Sequence, residues 1–140
     1  MANKTCSITI DMSYTGAGSV VESAPRKTIA ALYSSYEEGI VAVPALAAIA
    51  ASYDLAFGGT IVKATMLRID NVSAKGPIGI KLNGAATADY SIDVGGMLLI
   101  GGPAGVAVPG DVPVTSATVV LTVAQVTAGE IQYWVFGDPV

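Results

Sequence analysis

Polar and apolar residues alternate along most of this chain. In CSITIDMSY, Cys6, Ile8, Ile10, Met12 and Tyr14 take every second position, with Ser7, Thr9, Asp11 and Ser13 between them. A period of two is the mark of a strand with one buried face, and it makes Cys6 a small core residue of that face. TIVKATMLRID sets Ile61, Lys63, Thr65, Leu67 and Ile69 against Val62, Ala64, Met66, Arg68 and Asp70. In GEIQYWVFGD, Ile131, Tyr133 and Val135 oppose Gln132, Trp134 and Phe136. Further strands are expected in IGIKLNG, around Tyr90–Val94 and Met97–Ile100, and in TSATVVLTVAQV.

Turn chemistry separates these segments. Asn83-Gly84 is a hairpin dipeptide, and Gly95-Gly96 marks a kink or bulge. TGAGS, NVSAKGPIG and PAGVAVPGDVP read as loops, and TAG joins the last two strands. TIAALYSSY and IVAVPAL are split by EEG, which predicts a hairpin turn with Gly39 supplying a positive φ. Short strands with frequent turns and no alternating helical pattern indicate an all-β fold, an antiparallel β-sandwich or jelly roll of about eight strands. The length of 140 residues suits one domain over 1–140, with residues 1–15 as a candidate extended or partner-contacting N-terminal strand.

One segment resists the alternation. GIVAVPALAAIAASYDLAFGG, residues 39–59, is alanine-rich and nearly uncharged. A membrane-spanning helix needs about 20 apolar residues in a row. Pro44 and the polar Ser52, Tyr53 and Asp54 cut the apolar run short of that. The alternation of Tyr53, Leu55 and Phe57 favours strand, and a short helix over 45–51 is the alternative. The small side chains of Ala45–Ala51 make that stretch a candidate packing or subunit-contact strand.

Composition narrows the function. Charged residues are 13% of the chain, against about 25% in a typical soluble domain. That deficit suggests a surface covered by copies of the chain or by a partner. The net charge is −4 and the seven cations are scattered, so there is no basic stripe for nucleic acid and no basic inner surface for a shell around it. The chain has no histidine and one cysteine. A Ser-His-Asp triad, a Cys-His pair, a structural zinc site and an internal disulfide are therefore excluded within one chain. The N-terminus MANKTCSITIDMSY has no apolar signal region, so synthesis and folding in a cytoplasm are expected.

The remaining motifs carry little chemistry. Glu37-Glu38 falls in the expected turn, and Asp89 and Asp93 share a strand face around Tyr90 without the dense oxygen cluster that calcium needs. GAGSVV has Val21 where a dinucleotide fingerprint needs its third glycine, and GGPAGVAVPG lacks the Lys of a P-loop. Asn71-Val72-Ser73 matches a glycosylation acceptor by chance. Tyr133, Trp134 and Phe136 are a cluster suited to a core, a subunit contact or a sugar platform. No catalytic, cofactor-binding or metal residues are expected, and no enzyme.

FGGTIVKATMLRIDNVSAKGPIGIKLNG, SIDVGGMLLIGG and ATVVLTVAQVTAGEIQYWVFGD resemble, in their turns and strands, small β-sandwich virion proteins of tailed bacteriophages. The resemblance spans about Ala56 to Asp138. It implies a virion location and a non-enzymatic structural role, most naturally a capsid decoration (cement) protein bridging capsid subunits. It also implies a homo-oligomer, a trimer being favoured, partnered with the major capsid protein or another virion protein. Residues 101–113 and the N-terminal strand are the expected contacts. The alternative is a tail- or fibre-associated β-sandwich acting as a carbohydrate-binding module through Tyr133, Trp134 or Tyr90.

Overall fold

The computed structural model describes residues 4–15, 21–101, 107–108 and 112–138. Two antiparallel four-stranded sheets enclose the core. One, sheet I, has the order β4 (Ser52–Leu55), β11 (Ala117–Leu121), β6 (Ile78–Leu82), β7 (Tyr90–Ile92). The other, sheet II, runs β3 (Ser35–Val43), β12 (Gly129–Asp138), β5 (Lys63–Asn71), β8 (Met97–Gly101). Two hairpins stand apart: β1 (Lys4–Thr15) with β2 (Val21–Tyr33), and β9 (Ala107–Val108) with β10 (Val112–Pro113).

The eight sandwich strands follow a simple rule. The first pairs with the last (β3–β12), the second with the seventh (β4–β11), the third with the sixth (β5–β8), and the fourth with the fifth (β6–β7). All four pairs are antiparallel, as in a long ribbon folded at its middle and rolled up. Rolling brings β12 beside β5 and β11 beside β6, which closes the two sheets. This is the jelly-roll order, so the all-β expectation holds in its more specific form.

The period of two places the core. Ile131, Tyr133 and Val135 of β12 and Leu67 and Ile69 of β5 point inward. They meet Leu55, Ile78, Ile80, Leu82, Val119 and Leu121 of sheet I. Two buried amides pin the loops at one end. Asn71, fully buried, donates to the carbonyls of Gly76 and Ile92 and accepts from the Ala74 amide. Gln125 accepts from the Lys75 amide at 2.7 Å and donates to the carbonyls of Lys75 and Val123. Asn83-Gly84 forms the expected turn, both residues with positive φ. Asn83 Oδ1 accepts from the amides of Thr115 and Ser116.

Three expectations are corrected. Glu37-Glu38-Gly39 is not a turn: it lies inside β3, and the chain bends instead at Ser34. Gly39 does not need a positive φ. It leaves room for the Tyr133 ring, whose Oη would sit 2.6 Å from a Cβ added there. Residues 45–51 are neither strand nor helix. β3 stops at Val43, before Pro44, and Leu46 and Ala50 take left-handed φ of 65° and 68°, which interrupts both kinds of regular structure. That loop is tied down by backbone bonds from Ala50 to the Leu121 carbonyl and from Gln125 to the Ala47 carbonyl, so it is a fixed loop and not a strand. Finally, Asp89 and Asp93 do not share a strand face, because β7 spans only the three residues Tyr90–Ile92 between them.

Candidate functional site

The outer face of sheet II and the β1–β2 hairpin form the most distinctive surface. Outward residues of β3, β12, β5 and β8 stand in cross-strand rows set by the register. The first row is Tyr36, Phe136, Met66 and Gly101; the second is Glu38, Trp134, Arg68 and Leu99; the third is Ile40, Gln132, Asp70 and Met97.

The hairpin covers only the first row. Ser34 fixes its root, its amide donating to the Gly137 carbonyl and its hydroxyl to Asp138. Tyr33 packs edge-on against Phe136 with centroids 5.0 Å apart, and Tyr36 stacks on the same ring. Ala31 is buried, and the Cys6 thiol lies 3.6 Å from Met66 Sδ. Met66 faces away from the sandwich core yet is fully buried, because the hairpin roofs it. The same burial pushes the Cys6 thiol pKa above its ordinary value. β2 passes over β12, β5 and β8 in this way.

Among the described residues, β1 and β2 pair only with each other. β1 and β2 are 12 and 13 residues long, about 40 Å at strand rise. Their sheet-facing side continues as Ile8 opposite Ile29 and Ile10 opposite Lys27. Ile10 is 41% exposed. The opposite side is mixed: Leu32, 54% exposed, stands opposite Thr5, while Thr9 bonds Thr28 and Arg26 bridges Asp11 at 2.7 Å. A bulge between Ile10 and Met12 accommodates Pro25, which has no amide for the ladder.

The second and third rows are open. The Arg68 guanidinium lies 4.7 Å from the Trp134 ring centre and forms two bonds to Asp70, at 2.9 and 2.6 Å. That hydrogen bonding raises the Arg68 pKa, against the opposing pull of desolvation. Next to them Ile40 is 63% and Met97 55% exposed. A shallow cavity of about 440 Å³ is lined by Glu38, Gly39, Ile40, Gln132, Tyr133 and Trp134. Glu38 lies at its β3 edge, exposed, and Gln132 donates to Glu130 at 2.7 Å.

The residues singled out in the sequence are dispersed. Tyr133 points into the core and its Oη accepts from the Ala56 amide, while Trp134 points outward from the same strand and Tyr90 sits on sheet I. They do not form one platform. Glu37 and Glu38 project from opposite faces of β3, and Asp89 accepts from the Leu82 amide in a turn. Among the described residues no group of three His, Cys, Asp or Glu could hold a metal ion, and no helix is long and apolar enough to cross a membrane. Asn71 is sealed and fully bonded, which closes it to glycosylation. GAGS and most of residues 101–113 lie outside the described residues. The Arg68–Asp70 pair over Trp134 went unforeseen: Arg-x-Asp on one strand face signals the pair, but nothing local signals which strand lies beside it.

A comparison with known protein families and with curated proteins finds no match.

Proposed function

We propose that this chain is a non-enzymatic structural protein of a virus particle, a capsid decoration protein that bridges and stabilises capsid subunits. The observation carrying this reading is the β1–β2 arm, a long two-stranded ribbon outside both sheets that leaves Ile10 exposed on its sheet-facing side. A two-stranded ribbon alone is marginally stable in water, so such an arm has its natural place against a neighbour. The jelly roll is at home in viral capsid domains, a fold-level analogy that agrees with the sequence resemblance. The low charge density fits a part whose surface is shared.

The test uses purified heads of the phage encoding the chain, stripped of it. Added protein is expected to co-sediment with heads and to raise the temperature at which they release DNA. A form lacking residues 1–15 should lose that binding. Absence of the chain from purified virions, together with no co-sedimentation, would overturn the proposal.

A second reading, a tail- or fibre-associated carbohydrate-binding module, has one observation in its favour: Trp134 beneath Arg68, beside the cavity that holds Glu38 and Gln132. Jelly rolls also serve as lectin domains. Glycan-array binding abolished by Trp134→Ala would favour it over decoration.

A further inference from the structure

We propose that the β1–β2 arm docks on a second copy of this chain, across the open rows of the outer face of sheet II. This rests on the structural-subunit reading above and names the partner of the arm. Three observations select the occupant.

The first is continuity. At its root the arm's apolar side already sits on this face, with Cys6 and Ala31 over Met66 and Tyr33 against Phe136. The same side carries on outward as Ile8, Ile29 and Ile10, the last 41% exposed. The same face carries on as Trp134, Leu99, Ile40 and Met97, with Ile40 and Met97 exposed and Trp134 and Leu99 half-buried. Each copy thus has half of an interface whose other half it also displays.

The second is charge. Residues 4–33 hold three cations, Lys4, Arg26 and Lys27, against two acids. The remainder holds four cations against nine acids. Arg26 is engaged by Asp11 on the polar side, and Lys27 stands opposite Ile10 on the side that would dock. The receiving face has acids for it: Glu38 at the β3 edge and Glu130 on β12. Opposite charges meeting in this way set register and disfavour wrong partners.

The third is size. The two arm strands hold 12 and 13 residues, of which alternate ones face the docking side, and each copy adds its receiving rows to that contact. A flat ribbon laid on a sheet buries one side, and mutual exchange between symmetric copies repeats the contact. Exchange between two copies gives a dimer, and passage around a ring gives a closed trimer; the contact is the same.

Sedimentation of the full-length chain tests this. The wild type is expected to run as a multimer. Ile10→Asp removes apolar contact at an exposed site that the fold tolerates, and Lys27→Glu reverses the docking charge. Each is expected to weaken association at least about tenfold, equivalent to about 1.4 kcal/mol. Glu38→Lys combined with Lys27→Glu should restore much of it, a result that misfolding cannot imitate. A monomeric wild type overturns the inference, and so does a multimer indifferent to both single substitutions. Head co-sedimentation separates this failure from that of the broader reading: a monomer that still binds heads through its arm leaves decoration standing, whereas a multimer with no affinity for heads leaves the arm contact standing without it.

Discussion

At Gly39 a single missing carbon decides a packing arrangement. Tyr133 crosses from β12 to lie over it, and an added Cβ would stand 2.6 to 2.8 Å from the phenol oxygen and two ring carbons. The ring is buried, and its oxygen accepts from Ala56 N, so it has little freedom to retreat. Overpacking of this kind costs about 1–3 kcal/mol, more than the roughly 0.4–1 kcal/mol that Gly→Ala gains by stiffening the unfolded chain. Gly39→Ala is therefore expected to lower the midpoint of urea unfolding without changing its slope. Cys6 offers a second residue-scale test. Burial against Met66 holds its thiol pKa above the ordinary value, so the folded state disfavours the thiolate. The stability tied to this group is intact below the ordinary thiol pKa and is lost as pH rises through the raised one. Near pH 8.5, alkylation of Cys6 should be slower in the native protein than in urea; equal rates would mean that the arm does not cover it.

Strands explain why some elements were legible and others were not. β12 and the inner half of β5 were readable because alternate residues face a core, and the Asn83-Gly84 turn because its backbone conformation admits few residue types. β5 also hid something. Ala64 and Met66 alternate with inward residues, so the period alone assigns them to solvent, yet both are fully buried. For Met66 the cover is the hairpin, whose Cys6 lies 60 positions away, and no local pattern encodes that. The Ser34 bend was hidden for a related reason: Glu37-Glu38-Gly39 carries the stronger turn chemistry, but pairing with β12 straightens it into strand. Loop 44–51 was misleading because the alternation at Tyr53, Leu55 and Phe57 favours strand and alanines favour helix, whereas β4 begins only at Ser52 and bonds to Leu121 and Gln125 hold the loop. The roof over Met66 yields the element-scale prediction. Met66→Ala leaves a cavity worth about 2–5 kcal/mol in a buried site. Because that site joins arm to sheet, limited proteolysis should cut β2 sooner than any sandwich strand. Uniform acceleration of cleavage across the chain would mean that the arm and sandwich unfold as one unit.

At the scale of the whole molecule, β12 and the β1–β2 arm have opposite roles. In a rolled ribbon the first sandwich strand pairs with the last, and here β12 lies between β3 and β5 while supplying Ile131, Tyr133 and Val135 to the core. Sheet II therefore cannot form until the C-terminal strand is available, and contacts so distant in sequence make for slow folding, on the order of milliseconds to seconds. The arm at the other end has the opposite status. It touches the sandwich through Cys6, Ala31 and Tyr33 and contributes no strand to either sheet. Two truncations separate these roles. A chain ending at Ala128 loses the centre of sheet II and should show no cooperative thermal transition, its circular dichroism that of an unfolded chain. A chain beginning at Ser34 keeps all eight sandwich strands and should retain a β-type spectrum and a cooperative transition, at a lower temperature because Met66 and Phe136 are uncovered. If the second truncation were unfolded as well, the arm would be part of the folding unit rather than an appendage free to engage another molecule. That outcome would remove the physical basis for assigning it a partner, because a segment that its own sandwich cannot do without is not available for exchange.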